Sequence, residues 1–91
     1  MEYQKKSYVC IDVFNKKKPV LLVSRDGDDW CFLCGEVHPN DASFYRVVEI
    51  GHLIEDDPEL SNVLDLMPNQ EAERESPGKP WIRTNLHDLP Q

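Results

Sequence analysis

Long apolar runs are missing from this sequence. Val20-Leu-Leu-Val23 has four residues and Trp30-Cys-Phe-Leu-Cys34 five, far short of the roughly 20 a helix needs to cross a bilayer. Glycine is sparse and scattered, at positions 27, 35, 51 and 78, which excludes a glycine-rich phosphate cradle. Cysteine is scarce and odd in number: Cys10, Cys31 and Cys34. Disulfide-stapled secreted domains usually carry an even and larger set. No apolar stretch of signal-peptide character follows Met1 to Lys6, so the expected compartment is the cytoplasm, with reduced thiols. Excess positive charge is also absent. Ten basic side chains face seventeen acidic ones, a net charge of −7, which disfavours nucleic acid and anionic membrane as partners. Internal repeats and low-complexity tracts are lacking.

What is present suits one small folded unit. Ninety-one residues make a single domain, expected over 1–84 with a frayed tail at 85–91. Leu, Ile, Val and Phe supply 24 residues, enough for a modest core and above the range of disordered chains. Tyr8 to Phe14 alternates, with Val9, Ile11 and Val13 on one side, and predicts a strand. Val20 to Val23 predicts a second, opened by Pro19. Arg25-Asp-Gly-Asp-Asp29 is a turn by composition, and Trp30 to Cys34 is the return strand of a hairpin. Phe44 to Ile50 is rich in β-branched and aromatic residues and predicts a fourth strand, broken by Gly51, with a helical turn at His52 to Glu55.

Asp57-Pro58 is a helix start, since Asp caps free backbone N–H groups and Pro loses nothing at the first helical position. Leu60, Val63, Leu64 and Met67 follow at helical spacing, predicting an apolar stripe with Leu64 buried in it. The sequence beyond Met67-Pro68 is polar, with Trp81-Ile-Arg83 as a last short strand or docked segment. The expected fold is α+β: an antiparallel sheet of about four strands with one main helix on one face.

Catalytic signatures are not found. His38, His52 and His87 stand without a nucleophile and orienting carboxylate at recognisable spacing. Cys31-x-x-Cys34-Gly35 with His38 invites a zinc-stabilised module as the alternative reading. Residues three apart on a strand point to opposite faces, and the candidate fourth ligands Cys10, His52 and His87 are isolated. No cofactor or stoichiometric metal is therefore expected.

Charge supplies the main functional cue. Residues 1–45 are near neutral at −1 and residues 46–91 carry −6; Glu49 to Glu75 holds nine acids against Arg74. Such a field would steer a basic protein into contact. The candidate partner-binding residues are Asp56, Glu59, Glu71 and Glu73, with Trp30 and Trp81 as apolar anchors of the kind enriched at binding hot spots.

The pattern Trp30-x-Phe32-x-x-Gly35-Glu36, then Asp57-Pro58-x-Leu60, Leu66 and Glu71-Ala-Glu-Arg74 resembles small bacterial domains of unknown function, over about residues 8–83. Some of these are classed as immunity proteins of polymorphic toxin systems. The resemblance implies an α+β fold and a non-enzymatic role, neutralising a toxin by binding it. It carries over no catalytic residues.

Overall fold

A computed structural model describes residues 4–36, 38 and 41–85. Six strands form one sheet: β1 (Lys6–Cys10), β2 (Leu22–Asp26), β3 (Asp29–Leu33), β4 (Tyr45–Glu49), β5 (Gln70–Glu73) and β6 (Ile82–Asn85). Their spatial order is β4-β1-β3-β2-β5-β6. Every neighbouring pair is antiparallel except β1 with β3, which run parallel. The mixed sheet of six strands replaces the antiparallel sheet of about four that the sequence pattern predicts.

The β2–β3 hairpin forms where composition places it. Asp26 pairs with Asp29 across a two-residue turn, and Gly27 takes φ +61°. A positive φ at the first central residue is the demand of a primed hairpin turn, and glycine meets it without steric cost. The Gly27 N–H donates to Asn69 Oδ1 at 3.2 Å, tying the turn to the entry of β5.

Two stretches depart from their periodicity. Strand β1 stops at Cys10, and Ile11–Phe14 folds as one helical turn, α1. The alternation of apolar residues continues, but Cys10 is paired with Tyr45, the first residue of β4. An extended chain past Cys10 would have no partner on that side. The helical turn still buries Val13, and Lys16 ends it at φ 59°.

The second departure follows Asp57. The stretch forms a 3-10 helix over Pro58–Val63 rather than an α-helix. Its period of three residues, not 3.6, selects which side chains turn inward. Leu60, Val63 and Leu66 are buried at 1%, 0% and 1% exposure, while Leu64 is half-buried and Met67 is 62% exposed. The predicted Leu64 and Met67 thus yield their core places to Leu66. Asp57 caps as expected, accepting from the Glu59 N–H at 3.2 Å. The main α-helix, α2, spans Ile50–Asp56, longer than the turn expected at His52 to Glu55.

Helices and 3-10 segment share one face of the sheet. There the core gathers Val9, Val23, Trp30, Phe32 and Ala72 from the strands with Val13, Ile50, Leu60, Val63 and Leu66 from the covering elements. Strand β5 contributes only Ala72 to it, which is why its sequence Gln-Glu-Ala-Glu carries no strand signal. Asn85, expected in a frayed tail, lies in β6; residues 86–91 fall outside the described residues.

Candidate functional site

Strand residues alternate between the two faces of a sheet, and burial follows that alternation in β3 and in β1 as far as Val9, beyond which Cys10 is buried as well. In β1, Ser7 and Val9 are buried while Lys6 and Tyr8 are exposed; in β3, Trp30 and Phe32 are buried while Asp29 is exposed and Cys31 half-exposed. The face opposite the helices is left open over most of its area. One register row crosses all six strands on it: Val47, Tyr8, Cys31, Ser24, Glu71 and Thr84. Tyr8, Val47 and Ile82 on this face are 46%, 56% and 65% exposed, an unusual grouping for large apolar side chains.

The charges on the open face are of one sign. By alternation Asp26, Asp29, Glu49, Glu71 and Glu73 project from it. Lys6 is the one basic side chain among the described strand residues facing the same way. Cys31 feels this environment. Burial is the main cause that pushes its thiol above the ordinary value, and the Asp29 and Asp26 carboxylates add to it, against a hydrogen bond with Ser24.

The candidate partner-binding residues divide between the two sides of the molecule. Glu71 and Glu73 lie on the open face. Trp30 is 1% exposed in the core, stacked with Phe32 at 6.2 Å between ring centroids and covered by the Arg25 guanidinium. It presents no surface to a partner. Asp56 lies at the end of α2 on the helical side, 3.4 Å from Lys16 Nζ. Glu59 and Trp81 both belong to the surroundings of Arg74.

Arg74 is the residue whose role charge counting misses. Its side chain is 0% exposed. Nε and Nη2 donate to the Val20 carbonyl at 3.0 and 2.8 Å, Nη2 donates to Asp57 Oδ2 at 2.5 Å, and Nη1 to Glu59 Oε2 at 3.3 Å. The guanidinium carbon lies 4.5 Å from the centre of the Trp81 ring. Farther along, Arg83 donates to Asp65 Oδ1 at 2.7 Å and to the Asn62 carbonyl at 2.8 Å. Four acids of the Glu49 to Glu75 run, Asp56, Asp57, Glu59 and Asp65, are therefore engaged by lysine or arginine within the protein, whereas Glu71 and Glu73 lie on the open sheet.

A cleft of about 730 Å³ lies on the helical side between residues 16–20, Asp56 to Leu60 and Pro77. Lysines face carboxylates across it, and among the described residues no Ser, Thr, Cys, His or Tyr lines it.

The cysteines are arranged differently from the Cys31, Cys34, His38 set suggested by spacing. Cys31 faces the open sheet, whereas Cys34 groups with Cys10 and His38, whose ligand atoms all lie within 4.8 Å of one another. The missing element in the sequence reading is the pairing of β1 beside β3, which carries Cys10 to the end of the strand that precedes Cys34. Burial pushes the Cys34 thiol above its ordinary value, and a hydrogen bond with Cys10 acts the same way against a backbone hydrogen bond at Glu36. His52 is exposed near Glu49, and His87 lies outside the described residues.

No protein-family model, curated protein or solved structure matches this chain. Among the described residues, no helix is long and apolar enough to cross a membrane.

Proposed function

We propose that this domain is a non-enzymatic binding module that takes a basic protein on the open face of its sheet. The observation that supports this reading is the coincidence on one face of exposed Tyr8, Val47 and Ile82 with five carboxylates and a single lysine. Apolar side chains supply contact area when they are desolvated, and the carboxylates supply direction and speed of approach. A cationic surface complements this field; an acidic protein, nucleic acid or anionic bilayer is repelled by it. With the resemblance to immunity proteins, the reading extends to a bacterial cytoplasmic protein whose partner is a toxin neutralised by occupation of its surface.

The test is association kinetics of a captured partner against charge-reversed variants. Glu71→Lys combined with Glu73→Lys should slow association about tenfold or more, as expected when steering is reversed. Asp56→Lys, on the other side of the molecule, should leave the rate near that of the unmodified protein. Raising the salt should slow association too, because screening shortens the reach of exposed charge to about 8 Å at physiological ionic strength. A partner that is acidic, or one indifferent to Glu71 and Glu73 but lost with Asp56→Lys, would refute this placement of the surface.

A further inference from the structure

Four side chains converge at one end of the sheet. Cys10 closes β1, Asp12 sits in α1, Cys34 follows directly on β3, and His38 returns over them from the segment that leads toward β4. The Cys10 and Cys34 sulfurs and a His38 ring nitrogen lie within 4.8 Å of one another. Cys34 Sγ is 3.3 Å from His38 Nε2, and His38 Nε2 is 3.7 Å from Asp12 Oδ2. The Asp12 carboxylate and Cys34 Sγ also lie within 4.8 Å.

These separations match a coordination polyhedron. Zinc holds thiolate sulfur at about 2.3 Å, imidazole nitrogen at about 2.0–2.1 Å and carboxylate oxygen at about 2.0–2.2 Å, so the edges of its tetrahedron are about 3.4–3.8 Å. The edges at 3.3 and 3.7 Å are within a tenth or so of that range, the Cys10–Cys34, Cys10–His38 and Cys34–Asp12 edges need shifts of about an ångström or less, and the Asp12 side chain would turn in to close the fourth corner against Cys10. Two soft sulfurs and an imidazole favour zinc over magnesium or calcium, which prefer oxygen. The site is largely shielded: Cys10 is 0% and Cys34 3% exposed, and the His38 and Asp12 side chains 12% and 23%. The Phe44 and Tyr45 rings flank the imidazole at 6.2 and 6.5 Å. Two thiolates and one carboxylate around a divalent cation leave one negative charge, and Lys18 Nζ, which also pairs with Glu36, lies 3.7 Å from Asp12 Oδ2.

We propose that Cys10, Cys34, His38 and Asp12 form a structural zinc site that fastens the chain between β3 and β4 to the end of the sheet. The proposal is independent of the partner surface. It reverses the expectation of no metal drawn from the strand spacing of Cys31 and Cys34, because Cys31 takes no part in it.

The experiment uses the full chain, purified under reducing conditions, with elemental analysis and Co²⁺ titration of the metal-stripped form. The expected result is one zinc per chain, and with cobalt the thiolate charge-transfer absorption and strong visible bands of a tetrahedral centre. Cys31→Ser should retain both. Cys34→Ser should lose both, and Asp12→Asn should weaken binding about tenfold or more, since even outer-shell changes cost 10–100-fold. His38→Cys, which supplies another zinc ligand, should keep the site and guards against mistaking a folding failure for a lost ligand. Absence of zinc together with no cobalt spectrum in the unmodified protein would overturn the proposal. So would loss of the metal in Cys31→Ser.

Discussion

Replacing Arg74 by methionine tests how the acidic second half is held together. The substitution keeps an unbranched apolar stem and removes every donor. The Val20 carbonyl loses both hydrogen bonds, and an unsatisfied buried acceptor costs about 1–3 kcal/mol. The guanidinium contact with Trp81 at 4.5 Å adds about 0.5–2 kcal/mol. Asp57, one quarter exposed, is left with its charge beside the core. Breaking a buried pair on one side typically costs about 3–5 kcal/mol in all, and these parts are consistent with that figure. For a domain of this size each kcal/mol lowers the melting temperature by about 4–8 °C, so Arg74→Met should lower it by at least about 12 °C. Urea denaturation monitored by tryptophan fluorescence measures the change directly. Arg74→Lys keeps the charge but loses the forked grip on Val20, and should fall between the two. A loss below about 1 kcal/mol for Arg74→Met would show that Arg74 does not organise Asp57, Glu59 and Val20 as described.

Two further outcomes follow from the core and the thiols. Leu66→Ala should destabilise the domain by about 2–5 kcal/mol and Met67→Ala by under about 0.5 kcal/mol, with Leu64→Ala between them; equal effects at 66 and 67 in denaturant titrations would restore the α-helical stripe. Under a limiting thiol reagent, mass spectrometry should find Cys31 labelled first and Cys10 and Cys34 protected until unfolding. Because its folded-state pKa is raised, the labelling rate of Cys31 at neutral pH should be below that of an ordinary cysteine and climb about tenfold per pH unit; first labelling at Cys34 would contradict the burial pattern.

Local signals in the sequence are sufficient for elements whose side chains alternate between core and solvent. The hairpin around Gly27 is legible for that reason; strand β4, whose burial does not alternate, is legible from its β-branched and aromatic residues, and the capping role of Asp57 from its place before Pro58. Two other features depend on context. Strand β5 is held by its neighbours β2 and β6 and needs only Ala72 to face inward, so nothing in Gln-Glu-Ala-Glu reveals it. The 3-10 path after Asp57 is fastened from outside, by Arg25 Nη1 donating to the Leu66 carbonyl at 2.7 Å and by Arg74 and Arg83 at its acids, and its period of three is invisible to a search at 3.6. The same limit applies to the sites. Glu71 and Glu73 are recognisable as free acids, but their company with Tyr8 and Val47 arises from pairing across the sheet. Cys10 and Asp12 join Cys34 and His38 only because β1 lies beside β3, more than twenty residues away in sequence.

The position of β1 also governs how the chain can be assembled and altered. It lies between β3 and β4, so it is synthesised before either neighbour exists and remains unpaired until residues 29–33 and then 45–49 have emerged. Among the described residues, strand β4 has no other hydrogen-bonded neighbour in the sheet. Trimming the chain through residues 6–10 would therefore not simply shorten an edge: it would detach β4, bare the side of β3, and remove Cys10 from the cluster it shares with Cys34. An affinity tag or fusion ahead of Lys6 is compatible with the architecture only if those five residues remain free to enter the gap between the two later strands.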